Sequence, residues 1–202
     1  MFVTDPMCSW CWGMADEFAQ AREDLSGQVE FDLLLGGINT DGTQPIGDYG
    51  RRFLRRLWQE VAATTGQQFG YKLPEEYIHN SSRSCLAIEV VREALETPPF
   101  AYLDELQRLF FVQGADITSH ALLRDTAEAF GVAPDRFDTL MESPRLLGSV
   151  RFQFSHARSF GTQALPSLLI ENEQGALQLL AGGYVDAQML ESLLSGALAA
   201  QK

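Results

Sequence analysis

The stretch Phe2-Val3-Thr4-Asp5-Pro6-Met7-Cys8-Ser9-Trp10-Cys11-Trp12-Gly13 decides how this chain is read. Phe2-Val3-Thr4 has strand character and is closed by Asp5-Pro6. From Met14 to Leu25 the residues are good helix formers with no proline. Strand, turn, helix places Cys8 and Cys11 at or near a helix N-terminus. There the free N–H groups and the positive end of the helix dipole favour a thiolate over a thiol. A thiolate is the species that attacks disulfides, so the expectation is redox chemistry. Two other readings compete. A structural zinc site needs four ligands at close spacing, and the remaining candidates, Cys85, His79, His120 and His156, are scattered singly. An inert disulfide across a two-residue loop would stabilise little, because that stabilisation grows with loop length.

At 202 residues the chain suits one domain, or one core carrying a large insertion. A net charge of −12 argues against nucleic acid and anionic membrane surfaces as partners. No apolar run approaches the roughly 18 residues of a membrane span. Met1 is followed at once by the strand and the cysteine pair, with nothing that reads as a signal peptide. The expected location is the cytoplasm.

Outward from the opening segment, Val29 to Gly37 is an apolar run long enough for a buried strand, completing a βαβ unit with parallel neighbours. From Asp41 the pattern is helical for over a hundred residues. Tyr49, Phe53, Leu57 and Val61 recur every fourth residue, and Gly66 is a stop. Ile88, Val91 and Leu95 mark a second helix, ended by Thr97-Pro98-Pro99. Leu103, Leu106 and Phe110 mark a third. Thr118 or Ser119 caps a fourth, which closes at Gly131, and Val150, Phe154 and Ala157 follow. Strand character returns at Pro166–Ile170, with a turn over Glu171–Gly175 and a hairpin partner over Ala176–Ala181. A last helix spans about Val185 to Leu198, with Asp186 as a candidate N-cap. Proline cannot donate a ladder bond and belongs at a strand's beginning, which describes Pro166. The fold class is therefore α/β: βαβ and ββα halves flank a block of helices.

The string Asp5-Pro6-Met7-Cys8-Ser9-Trp10-Cys11-Trp12-Gly13 resembles the active site of the DsbA family of the thioredoxin superfamily, in particular its cytoplasmic, FrnE-like thiol-disulfide oxidoreductases. Gly114 to Thr118 resembles a segment of that family's helical insertion. Ala164 to Leu168 resembles its cis-proline loop, and Gly182-Gly183-Tyr184 the stretch before its last helix. The resemblance implies a thioredoxin-like core at 1–40 and 162–202 and an all-helical insertion at 41–161. It implies a protein-disulfide oxidoreductase or isomerase in which Cys8 is the more exposed nucleophile that forms the mixed disulfide and Cys11 resolves it. Pro166 would be cis, and with Leu165, Ser9 and Trp10 would bind substrate. Asp5 is a candidate proton relay to Cys11, or simply a turn former. No metal is implied, and no cofactor beyond the redox-active disulfide. Implied partners are protein or small-molecule thiols and disulfides, with glutathione or the thioredoxin system as candidate co-substrates. With neither Ser9 nor Trp10 cationic, Cys8 is expected to be a milder thiolate than in strongly oxidising periplasmic members.

Trp12 reads as core, Cys85 as a buried inert thiol, and the histidines carry no evident partner or role. Two rival functions remain. Kappa-class glutathione transferases and 2-hydroxychromene-2-carboxylate isomerases share this architecture. In that reading the Leu165 backbone and Asp186 hold the tripeptide. Those enzymes, however, typically carry serine where this chain has Cys8 and lack the second cysteine. The other rival is a redox-silent binding module.

Overall fold

A computed structural model describes residues 1–172 and 174–200. Residue 173, inside the expected turn, and residues 201–202, in the last segment of the expected core, lie outside the described residues. Four strands form one sheet in the order β2-β1-β3-β4: β1 (Phe2–Thr4), β2 (Leu33–Leu35), β3 (Ser167–Glu171) and β4 (Leu177–Gly182). β1 runs parallel to β2 and antiparallel to β3, and β3 and β4 form an antiparallel hairpin. The expected strand at 29–37 is shorter than its apolar run: only Leu33–Leu35 pair with β1. β1 is only three residues long, so the ladder closes with Asp32 O and Gly36 N at its two ends and the rest of the run has no strand beside it.

The helices among the described residues are α1 (Ser9–Gly13), α2 (Ala15–Asp24), α3 (Gly47–Thr65), α4 (Ser82–Leu95), α5 (Phe100–Arg108), α6 (His120–Ala129), α7 (Pro134–Met141), α8 (Pro144–Ala157) and α9 (Ala187–Ala200). A π turn at Leu109–Gln113 continues α5. The helix behind the cysteines is thus two pieces broken at Met14, whose φ of −100° and ψ of 0° are not helical.

The α3 stripe differs from the sequence reading. Its inner face is Leu54, Trp58 and Val61, all buried, whereas Tyr49 and Phe53 stand 79% and 57% exposed. The four-residue recurrence drifts around a helix of 3.6 residues per turn, so only its last member, Val61, is fully buried in the core. Trp58, which is wholly buried, is the anchor: its ring meets Phe69, Phe110 and Phe111 at 5.6 to 5.8 Å. Burying such a side chain contributes about 2–3 kcal/mol. α3 ends at Gly66, whose φ of +77° is a left-handed cap that glycine adopts without strain. α7, with proline in its first turn, is an additional helix that the periodicity did not reveal.

β1 is the centre of the molecule. Phe2 joins the large core with Phe18, Leu33, Leu35 and Leu168, while Val3 packs on the other face with Leu34, Ala157 and Leu169. By strand alternation Thr4 shares Phe2's face. Helices therefore cover both faces of the sheet, and the chain leaves β1 at Thr4 directly into the cysteine segment.

Candidate active site

Three hydrogen bonds shape the segment between β1 and α1. Asp5 Oδ1 accepts from Met7 N at 2.8 Å, Asp5 O accepts from Cys8 N at 3.1 Å, and Cys8 O accepts from Trp12 N at 3.0 Å. This is an aspartate turn feeding a helix start. Cys8 takes the N-cap position, with extended backbone (φ −80°, ψ 112°), and its Sγ accepts from Cys11 N at 3.1 Å. The sulfur thereby fills the role that a serine or aspartate oxygen plays in other helices, bonded to a first-turn N–H at the positive end of the dipole. Gly13 lets α1 approach α3, since a Cβ there would stand 2.6 Å from Val61 Cγ1.

Cys8 is 5% exposed and Cys11 1%, both as free thiols. The Cys8 sulfur is recessed, because it folds back over the first turn to meet Cys11 N. Burial pushes the Cys11 thiol well above the ordinary range, and the hydrogen bond and charge of Cys8 push the same way. The Thr4 hydroxyl and the Asp5 N–H face its sulfur and oppose the shift.

The Asp5 carboxylate turns elsewhere. Its Oδ2 accepts from Ser81 Oγ at 2.6 Å, Ile38 N at 3.0 Å and Cys85 Sγ at 3.5 Å. Burial raises its pKa, against the pull of these donors. What this residue offers Cys11 is its backbone N–H, while its side chain ties β1's exit to the residues after β2 and to the start of α4. Cys85 is wholly buried, and burial and the Asp5 charge raise its pKa.

The Leu165–Pro166 peptide bond is cis. The pairing of Val3 with Ser167 sets Pro166 opposite Thr4, at the sheet end from which the cysteine segment departs. Pro166 is buried and its carbonyl accepts from Gly183 N at 2.8 Å, while Leu165 is half-buried. Trp10 is half-buried, its ring 5.6 Å from that of Tyr184. Ser9 is 4% exposed, so its side chain points away from solvent. Trp12 is core, stacked on Phe111 and donating Nε1–H to Gln68 O at 2.8 Å. Asp186 caps α9, its Oδ1 accepting from Met189 N at 2.8 Å.

The histidines have partners that their isolation in sequence concealed. His79 Nδ1 lies 2.6 Å from Tyr77 Oη, which donates to Met7 Sδ at 3.2 Å; His120 pairs with Asp138; His156 packs on Phe152 and Phe160. Each partner belongs to the tertiary fold or to a neighbouring turn, beyond the reach of a motif search. Tyr184, Thr4 and Asp104 are further site neighbours that the cysteine motif does not announce. A cavity of about 10 Å³ behind Cys11 is lined by Phe2, Arg22, Asp104 and Gln107 among others. Among the described residues, no group of three or more His, Cys, Asp or Glu could hold a metal ion, and no helix is long and apolar enough to cross a membrane.

A strand delivering a cysteine pair to a helix N-terminus, beside a cis-proline loop, defines a thioredoxin-type site. The model of the DSBA-like thioredoxin domain matches residues 1–195, and the chain belongs to this family. A Nitrosomonas europaea structure described as a candidate protein disulfide isomerase is 28% identical, with TM-score 0.90 over 100% of this chain and 97% of that one. The cytosolic disulfide reductase DsbM from Pseudomonas aeruginosa, solved alone and with GSH, shares the fold at 23% identity. Its TM-scores are 0.75 and 0.72, over 96% of this chain and 97% and 98% of the two DsbM chains. The ClpXP adapter protein SpxH of Shouchella clausii (strain KSM-K16) is 21% identical over 94% of this chain. The chain spans 65% of the length of that curated relative.

Proposed function

We propose that this protein exchanges disulfides through Cys8 and Cys11, acting on protein or small-molecule thiols as a reductase or isomerase. The observation that carries the reading is the Cys8 sulfur seated as the cap of α1, with the Cys11 N–H 3.1 Å away and the Cys11 sulfur buried behind it. An N–H donor at a helix N-terminus stabilises negative charge on the sulfur it meets.

The chemistry balances as follows. The Cys8 thiolate attacks a substrate disulfide R–S–S–R; a Cys8–S–R bond forms and one R–S⁻ leaves, taking a proton from solvent. Cys11, having lost its proton, attacks Cys8 Sγ. The Cys8–Cys11 bond forms, the Cys8–S–R bond breaks, and the second R–S⁻ is released and protonated. Two protein thiols are oxidised by two electrons and one substrate disulfide is reduced to two thiols. When a substrate thiolate attacks the Cys8–Cys11 disulfide, the same steps run in reverse. Isomerisation is the case in which the mixed disulfide is attacked by another substrate thiol.

In this reading Leu165, Pro166 and Trp10 form the substrate rim, Tyr184 joins them through its ring contact with Trp10, and buried Ser9 acts only by filling the first helical turn. The division into a thioredoxin-like core at 1–40 and 162–202 and a helical insertion at 41–161 belongs to the same proposal, with the insertion supplying α3 and α5 against the cysteine segment. No cofactor beyond the dithiol enters the reaction. Glutathione as co-substrate and a cytoplasmic setting are supported by the likeness to the cytosolic reductase solved with GSH; the thioredoxin system is the alternative electron source. The similarity to an adapter protein supports a second reading, in which the site engages a partner without turnover.

Dithiol-dependent insulin reduction and refolding of a scrambled-disulfide protein, run on wild type and Cys8→Ser with glutathione conjugation in parallel, separate these readings. Activity lost with Cys8 is the expected result. Conjugation surviving Cys8→Ser would indicate a transferase-like enzyme, and no turnover at all would leave the adapter.

A further inference from the structure

The Thr4 hydroxyl is, with Arg22 Nε, one of two buried polar groups near Cys11 that have no settled partner among the described residues. Thr4 is wholly buried, and its Oγ1 makes no full hydrogen bond to any described group. An orphaned buried hydroxyl costs free energy and requires an explanation. Its position supplies one. Thr4 is the last residue of the central strand, flanked by Leu35 on one side and set opposite Pro166 on the other, on the sheet face beneath α1. The sulfur that it faces, together with the Asp5 N–H, is that of Cys11.

We propose that Thr4 is a catalytic residue of the resolving step, donating a hydrogen bond to the Cys11 thiolate as it attacks the Cys8 mixed disulfide. The inference rests on the roles proposed above for the two cysteines. In the resting dithiol the Cys8 sulfur receives the Cys11 N–H, and the Cys11 thiol, neutral and buried, asks little of its neighbours. Once Cys8 is tied to substrate, Cys11 must carry charge where water does not reach. Two donors then converge on it: the fixed Asp5 N–H and the rotatable Thr4 O–H. The hydroxyl that faces this sulfur at rest without completing a full hydrogen bond is matched to the state in which charge develops. The other charged groups around this sulfur are Cys8 and, across the small cavity, Arg22 and Asp104; the Asp5 carboxylate is engaged by Ser81, Ile38 and Cys85.

The test compares Thr4→Val, which keeps the branched shape and loses the hydroxyl, with Thr4→Ser, which restores it. Wild type and variants are loaded at Cys8 with the mixed disulfide of glutathione, and release of glutathione is followed by rapid acid quench and mass spectrometry from pH 5 to 10. Thr4→Val should release glutathione roughly 10- to 100-fold more slowly, the loss expected for a hydrogen bond to a charged group. Its pH midpoint should move upward, Thr4→Ser should return both towards wild type, and initial alkylation of Cys8 should be unaltered. Repeating the profile in an Asp104→Asn background removes the titration of that carboxyl. If Thr4→Val does not fold, Thr4→Ala carries the comparison. Release from Thr4→Val at the wild-type rate, or equal slowing in Thr4→Ser, would overturn the role of Thr4 alone. Failure of Cys8 to form a mixed disulfide even when Cys11→Ser should trap it would overturn the reading of the cysteines, and this inference with it.

Discussion

Asp5 and Asp104 are both carboxylates drawn into the protein beside the cysteine segment, and the protein treats them in opposite ways. Asp5 is met by four donors from three stretches of chain: Met7 N, Ile38 N, Ser81 Oγ and Cys85 Sγ. Asp104, on α5, has the Arg22 charge nearby but no hydrogen-bond donor among the described residues, and burial pushes it up to about 6. A satisfied buried network fixes geometry; a half-satisfied one leaves free energy to be recovered by a change of state. The Asp5 side holds the cysteine segment in place. The Asp104 side, around the cavity behind Cys11, is where protonation can change.

The sharpest way to break this contrast is Asp5→Ala. It strips the acceptor from two backbone N–H groups and a hydroxyl that are buried or half-buried, and removes the tie between β1's exit and α4. We expect a loss of about 3–5 kcal/mol in chemical denaturation, at the upper end of single-residue effects. A loss under about 1 kcal/mol would mean that the cluster is not what orders the segment. Ser81→Ala, which removes one of the four donors, should cost only about 1–2 kcal/mol.

Asp104→Asn should act with the opposite sign. Its folded-state pKa lies above the unfolded value, so the stability associated with the neutral form is complete below about pH 3.8 and is lost as pH rises through about 6. Removing the charge should therefore stabilise the protein by about 1–2 kcal/mol at pH 8, discounted for partial exposure, and leave it unchanged at pH 3.5. Melting curves at the two pH values check this. Equal shifts at both would show that Asp104 acts by packing instead.

His79 supplies the opposing slope. Burial lowers its pKa to about 4, below the unfolded value of 6.5. The stability of the neutral ring is complete above pH 6.5 and is lost as pH falls through 4. In wild type the two titrations offset each other between pH 4 and 6, so stability should look flat there. His79→Asn should reveal the Asp104 slope, raising the pH 4 stability relative to pH 7 by about 1–2 kcal/mol compared with wild type. A wild-type curve that already falls steeply over this window would show that one of the two groups is not as buried as drawn.

How much of this could be read from the chain follows the range of the signals. The turn at Asp5-Pro6, the cysteines at a helix start and the proline opening β3 are written in residues within a few positions of each other, and the structure has them in those places. Packing across the fold carries no such mark. Nothing local says that Trp58 rather than Tyr49 and Phe53 faces inward. Nor does it say that Tyr77 meets Met7 or that Asp104 reaches the cavity behind Cys11. Each depends on how the helices between Gly47 and Ala157 dock on a sheet whose strands are far apart in sequence. Tyr184 is intermediate: it lies in a stretch recognisable by resemblance, but its partner Trp10 is 174 residues away.

That pair gives the smallest expected effect and bears on the outer edge of the site instead of its buried side. Trp10 and Tyr184 lie 5.6 Å apart at a 38° tilt, both half-buried, joining the cysteine segment to the loop that follows β4. An aromatic pair of this kind is worth about 0.5–1.5 kcal/mol beyond its buried area. If the rings form a wall for an extended protein segment, Tyr184→Ala should raise KM for a protein disulfide by roughly 2- to 10-fold with little change in kcat, because it weakens substrate and transition state alike. Turnover of glutathione disulfide, too small to span the wall, should be unaffected. Equal losses for both substrates would place the pair in the support of α1, on the same footing as Asp5, and would move the boundary between scaffold and substrate surface outward by one residue shell.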